Sequence, residues 1–70
     1  MSRENFMNQA HRLVGQDVEV ITTEGTYRGT LLSVGSDSLV LETLVRGRRI
    51  RMIIRIALIV ALFRLITGIL

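Results

Sequence analysis

The chain has 70 residues, of which 49% are apolar, and it contains neither cysteine nor proline. A chain this short forms one domain at most, and without disulfides or a metal it usually needs a partner for stability. Its single histidine, His11, cannot form a zinc site, so we expect no cofactor and no metal. These features predict one domain over residues 1–70 that is stabilised by copies of itself.

The charges are divided unevenly along the chain. All nine basic residues are arginine, residues 1–42 hold all six acids for a net charge of −3, and residues 43–70 have a net charge of +6. Such an asymmetry is typical of binding to RNA or another polyanion, of binding to anionic lipid, or of pairing between the acidic half of one copy and the basic half of another.

The first segment has the pattern of a short helix over about residues 2–14. Ser2 suits the N-cap, apolar residues from Phe6 to Val14 recur near helical spacing, and Gly15 can end the helix. His11, near the helix end, is expected on the surface. The segment lacks an apolar core, so we expect no signal peptide.

Three hairpin-linked strands are predicted next. "DVEVIT" (17–22) alternates between apolar and polar residues, "YRGTLLSV" (27–34) returns with Gly29 marking a bend or bulge, and "SLVLETLV" (38–45) precedes a tight turn at Gly47. We expect this glycine-bent sheet to close on itself as a small barrel over about residues 16–64, which would remove most exposed edges.

Residues 49–66 fit either two short strands or one helix. The uncharged run 56–63 is much shorter than the roughly 20 residues of a membrane span, and arginines flank it. Insertion of residues 52–70 into a membrane nevertheless stays open as an alternative. The final residues, 65–70, form an apolar tail.

Strand periodicity over these residues gives two faces. The even positions from Ile50 to Leu62 are all apolar, and the odd face begins with arginines and then becomes apolar. A small barrel has one interior, so the second face needs another chain to cover it. The predicted oligomer interface consists of Ile53, Ile56, Leu58, Ile59, Val60, Leu62 and Phe63.

The segment "VEVITTEGTYRGTLLSVGSDSLVL" resembles the first motif of the Sm-like superfamily (LSm/Hfq type), with Gly25, Tyr27, Gly29, Leu31 and Val34 in register. The later "IIRIALIVALF" is similar to the ending of small Sm-like proteins from spore-forming bacteria. The resemblance implies a mainly β fold: a short N-terminal helix followed by a five-stranded, strongly bent Sm-like/SH3-like barrel. It also implies rings in which the fourth and fifth strands of neighbours pair, and a cytoplasmic or spore-associated location.

The RNA-binding positions of ring-forming relatives are only partly matched. Those relatives use an Asp and an Asn after the second strand and an Arg-Gly pair before the last. Here Gly35 stands near the Asp position with Asp37 close by, the Asn is absent, and Arg46-Gly47 comes early enough to be a hairpin turn. The candidate polyanion-binding residues are Arg46, Arg48, Arg49, Arg51 and Arg55.

Three functions are compatible with these features. We expect a self-assembling structural or scaffold protein that forms homo-oligomeric rings or fibres through its C-terminal strands. The first alternative is an Sm-like RNA-binding ring with an arginine-rich rim, and the second is a membrane-associated small protein. No enzyme is expected, because Ser33, Ser36 and Asp37 have no histidine nearby to complete a nucleophile–base pair.

Overall fold

The computed structural model describes residues 3–66 and shows a mainly β fold with a short N-terminal helix, as predicted. The predicted N-cap Ser2 and residues 67–70 of the predicted tail lie outside the described residues. The elements in chain order are helix α1 (Arg3–Arg12), strands β1 (Asp17–Thr22), β2 (Gly25–Val34), β3 (Ser38–Val45) and β4 (Arg48–Arg55), the 3-10 turn η1 (Ile56–Leu58), and strand β5 (Ile59–Arg64).

The five strands form one antiparallel sheet in the order β4-β3-β2-β1-β5. Strand β2 changes partner along its length, because residues 25–30 pair with β1 and residues 30–34 pair with β3. A Cβ on Gly29 would lie 2.5 Å from the carbonyl oxygen of Glu42, so glycine permits this close approach of β2 and β3. The predicted irregularity is therefore present, but the bulge itself is at Leu32 rather than at Gly29.

The sheet is not closed, and the expectation that closure would remove its edges is wrong. Within the described residues β4 pairs only with β3 and β5 only with β1. The turn η1 is tied to two different hairpins: the N–H of Ile56 donates to Asp37 O (2.9 Å) and the N–H of Thr23 donates to Leu58 O (3.0 Å). These bonds attach η1 to the β2–β3 turn and to the β1–β2 turn.

The core lies between the curved sheet and α1. Ala10 of α1 is fully buried, Phe6 and Leu13 pack against the same cluster, and the Gln9 side chain donates to Leu62 O (3.3 Å). The helix ends before Gly15, which has a φ of 89°. The buried apolar residues are Ala10, Val18, Val20, Leu31, Leu39, Leu41, Ile54 and Leu62.

Residues 48–64 form two strands, but their apolar face is not the continuous one that period-two counting predicts. Ile54 and Leu62 are buried as expected, whereas Val60 is exposed and Ile59 packs against the core instead. The reason is a bulge: Thr22 pairs with Ile59 and Ile21 with Ala61, which leaves Val60 as the extra residue of β5. The bulge shifts the alternation by one residue.

Candidate functional site: two free sheet edges and an arginine-rich hairpin

Exposed apolar side chains concentrate in the C-terminal strands. Among the described residues eight large apolar side chains are exposed, and six of them lie in β3, β4 and β5. Single exposed apolar residues are normal on protein surfaces, but a concentration of them marks an interaction surface. The eight are Val14, Leu44, Val45, Ile50, Ile53, Val60, Phe63 and Ile66.

Strand β4 is one edge of the sheet. Ile53 lies on its outer face, opposite Val40 of β3, and its side chain is 72% exposed. The neighbouring Arg51 and Arg55 lie on the same face, because side chains alternate along a strand. The outer face of this edge is therefore an isoleucine between two arginines.

Strand β5 is the other edge. Val60 is 68% exposed at the bulge, and Phe63 is 51% exposed opposite Glu19 of β1. Arg64 at the end of the strand is also exposed. Both edges of the sheet thus combine large apolar side chains with arginine.

The structure distributes the predicted interface residues over three environments. Ile53, Val60 and Phe63 are exposed, and Ile56, Leu58 and Ile59 are half-buried. Leu62 packs inside the chain's own core, where it offers no surface to a second chain. Sequence reasoning missed the exposed Leu44, Val45 and Ile50, although these three stand beside the arginines of the β3–β4 hairpin and could have been found there.

Arg46 and Gly47 form the turn of the β3–β4 hairpin. Val45 pairs with Arg48, and the two residues between them have φ angles of 54° and 81°. Positive φ at both central residues is the signature of a type I′ turn, the two-residue connection that matches the twist of antiparallel strands. The Arg-Gly pair is thus a hairpin turn, as its early position in the chain predicts.

All five candidate polyanion-binding arginines are exposed, but only one has an acidic partner. Arg55 contacts Asp37 at 3.3 Å. In the described part of the chain no acid forms an ion pair with the other four arginines, even though Glu42 lies directly opposite Arg51 in the β3–β4 register.

Two other acids have partners elsewhere in the sheet. Glu19 forms an ion pair with Arg28 at 3.8 Å, and Asp17 accepts a hydrogen bond from the Thr30 hydroxyl at 3.0 Å. The arginines without acidic partners are Arg46, Arg48, Arg49 and Arg51.

Two further observations concern residues 3–66. No group of three or more His, Asp or Glu side chains there could hold a metal ion. No helix in that range has the length and apolar character needed to cross a membrane.

Comparisons of the chain with protein-family models, with curated proteins and with solved structures found no match. The candidate site is therefore interpreted from its own geometry.

Proposed function

We propose that this chain is a self-assembling structural protein in which β4 of one copy pairs with β5 of the next. The observation that carries the proposal is the position of these strands at opposite ends of one open sheet. In the described residues neither has a partner on its outer side, and both carry exposed large apolar side chains. An edge strand presents a row of free N–H and C=O groups, and pairing with another chain satisfies them.

Pairing of β4 with β5 joins two different surfaces. Each copy then contacts one neighbour through β4 and another through β5, and this head-to-tail arrangement gives a ring if the rotation closes and a filament if it does not. The product is a multi-copy assembly, whereas a two-fold dimer would leave one edge of each copy free.

The energetics favour assemblies in which each copy makes two such contacts. Covering Ile53, Val60 and Phe63 contributes on the order of 1–2 kcal/mol each, since all three are already partly buried. Their sum is comparable with the lower estimates of the free-energy cost of association. A single edge contact is therefore weak, and closure into a ring or growth into a filament stabilises it.

Charge opposes the same contact. Strands β4 and β5 carry five arginines and no acid, so edge pairing brings like charges together. Salt screens charge repulsion between exposed groups. Assembly is therefore expected to strengthen as the salt concentration rises.

The resemblance to Sm-like proteins supports the same pairing, because it implies rings joined through the fourth and fifth strands. A helix followed by five antiparallel strands in one bent sheet is compatible with an Sm-like or SH3-like barrel. The Sm-like assignment and the ring architecture are part of this proposal.

A matched pair of valine substitutions tests the proposal. Val60→Lys places a charge on the exposed β5 edge, whereas Val14→Lys places the same charge on an exposed site after α1. Lysine on an edge strand opposes pairing with another chain. We expect the unmodified protein and Val14→Lys to sediment as multimers at micromolar concentration, and Val60→Lys as a monomer with an unchanged circular dichroism spectrum.

A folded, monomeric unmodified protein at that concentration would overturn the proposal. So would multimers of equal size from all three proteins, because the β5 edge would then lie outside the interface.

A further inference from the structure

Within residues 3–66, the end of the β3–β4 hairpin is not paired with the rest of the sheet. Strand β2 pairs with β3 only as far as Glu42, so residues 43–45 and 48–50 pair only with each other. We call residues 43–51 the hairpin tip. The type I′ turn at its end fixes the register of its two strands.

The hairpin tip combines arginine with exposed aliphatic side chains. It has no acid and no aromatic residue, and its four arginines make no ion pair within the described residues. Leu44 is 67% exposed, and Val45 and Ile50 are exposed as well. The three aliphatic side chains lie within nine residues of one another, and such a concentration marks an interaction surface.

Both faces of the hairpin tip have this mixed character. Leu44 lies opposite Arg49 on one face, and Val45 lies opposite Arg48 on the other. An arginine has a long apolar stem that can lie along an apolar surface while its guanidinium reaches a polar layer. On a membrane surface, Leu44 and Val45 can enter the apolar layer just below the headgroups while the neighbouring Arg48 and Arg49 bind lipid phosphates.

We propose that the hairpin tip docks on a membrane surface that carries anionic phospholipid headgroups. The four exposed arginines match an anionic partner, and the exposed aliphatic residues match an apolar one. An anionic bilayer surface supplies both. The hairpin tip includes residues 48–51 of β4 and no residue of β5. Docking is therefore tested separately from the proposed assembly through variants of β5, and an assembly would present several tips and bind more tightly.

Single-stranded nucleic acid fits the same arginines less well. Proteins that bind it without base-specific contacts stack successive bases on aromatic side chains, and the hairpin tip has none. Phosphate contacts alone would also leave Leu44, Val45 and Ile50 without a role. RNA binding is thus the competing result that the experiment must separate from lipid binding.

The experiment is cosedimentation of the full chain with phosphatidylcholine vesicles that contain or lack phosphatidylglycerol. Binding only to the phosphatidylglycerol vesicles is expected. Near an anionic surface each arginine changes affinity roughly fivefold, so Arg46→Gln with Arg48→Gln should weaken binding roughly 25-fold. The charge-matched control, Arg12→Gln with Arg55→Gln, removes two exposed arginines outside the tip, with Arg55 at the opposite end of β4, and should weaken binding far less.

A second pair of substitutions tests the apolar contribution. Leu44→Ser with Ile50→Ser keeps every charge and should weaken vesicle binding roughly tenfold. The same variant should not weaken binding to a single-stranded oligonucleotide. The arginine variants and the Leu44→Ser with Ile50→Ser variant are also measured in the Val60→Lys background, in which assembly is expected to be lost. If a single chain docks through the tip, each tip variant should weaken vesicle binding by the same factor in that background.

Three results would overturn the proposal. The first is absence of binding to phosphatidylglycerol vesicles while an oligonucleotide is bound, which would favour nucleic acid as the partner. The second is equal weakening by the tip and control arginine pairs. The third is vesicle binding unchanged by Leu44→Ser with Ile50→Ser.

Discussion

Replacing Gly29 with alanine tests the close approach on which the bend of the sheet depends. The added Cβ would lie 2.5 Å from the carbonyl oxygen of Glu42, whereas ordinary contacts of this kind begin near 3.4 Å. Strand β2 and the backbone at Glu42 must therefore separate by about 0.9 Å. The obstacle is main chain rather than a flexible side chain, and Thr30 pairs with Glu42 at this point.

The expected cost follows from two opposing contributions. Forcing one extra carbon into a packed site typically costs about 1–3 kcal/mol. Alanine also restricts the unfolded chain, which offsets about 0.4–1 kcal/mol of that cost. We expect a net loss of about 1 kcal/mol, equivalent to a fall in Tm of roughly 4–8 °C for a domain of this size.

Thermal and urea unfolding of Gly29→Ala measure this loss, with Gly35→Ala as the matched control. A Cβ on Gly35 would lie 3.4 Å from the carbonyl oxygen of Ser38, so this variant should stay within about 0.5 kcal/mol of the parent. Both variants are best compared in the Val60→Lys background, because assembly would make Tm depend on concentration. Equal stability of the two alanine variants would refute the steric reasoning.

Three further predictions concern a turn, an ion pair and salt. Thr22→Val should lower the free energy of unfolding in urea by about 1–2 kcal/mol. The buried Thr22 hydroxyl donates to Gly25 O (2.8 Å) and accepts from the N–H of Glu24 (3.1 Å), and valine loses both bonds. An unchanged urea midpoint would show that these bonds contribute nothing. Asp37→Asn should change stability by less than about 0.5 kcal/mol, since both members of its pair with Arg55 are mostly exposed, and a larger loss would contradict this. Added sodium chloride should increase the fraction of protein that sediments as multimers, because it screens repulsion between the arginines of β4 and β5, and it should decrease binding to vesicles, because it screens attraction between the tip arginines and lipid phosphates. A change of both quantities in the same direction would contradict these two roles.

The regular elements were predictable because alternation and helical spacing are local signals. Strands β1 and β3 begin and end at the predicted residues, 17–22 and 38–45. The first alternates between polar and apolar residues at its start, and the second is an apolar-rich run between two glycine-containing turns. The predicted helix was longer than the observed Arg3–Arg12, because its last residues form a turn before Gly15.

The C-terminal half was harder to predict because its apolar residues are nearly continuous. Counting by two places Val60 and Leu62 on the same face, but the bulge at Val60 and the turn η1 interrupt the pleat. Neither feature changes the apolar pattern of the sequence, because every position in this run of Ile, Leu, Val and Ala is apolar. Closure of the sheet was not predictable either, because it depends on how the η1 backbone is bonded to Asp37 and Thr23.

The candidate site was predictable in composition but only partly in position. The exposed arginines and Ile53 were found from the sequence, while Leu62 of the predicted interface is in the core. Burial of that side chain is decided by the register of β5 against β1, in which Leu62 pairs with Val20. The register depends on both strands, so the residue pattern of β5 alone does not predict it.

The most direct test of assembly through the two edges is a mixing experiment. Ile53→Lys alters the β4 edge and Val60→Lys alters the β5 edge, so each variant alone should sediment as a monomer. Mixed in equal amounts, at a protein concentration high enough for one weak edge contact, they should form a dimer, because the intact β4 of the Val60→Lys chain can pair with the intact β5 of the Ile53→Lys chain. A mixture that stays monomeric, or either variant alone forming multimers, would contradict the pairing of β4 with β5.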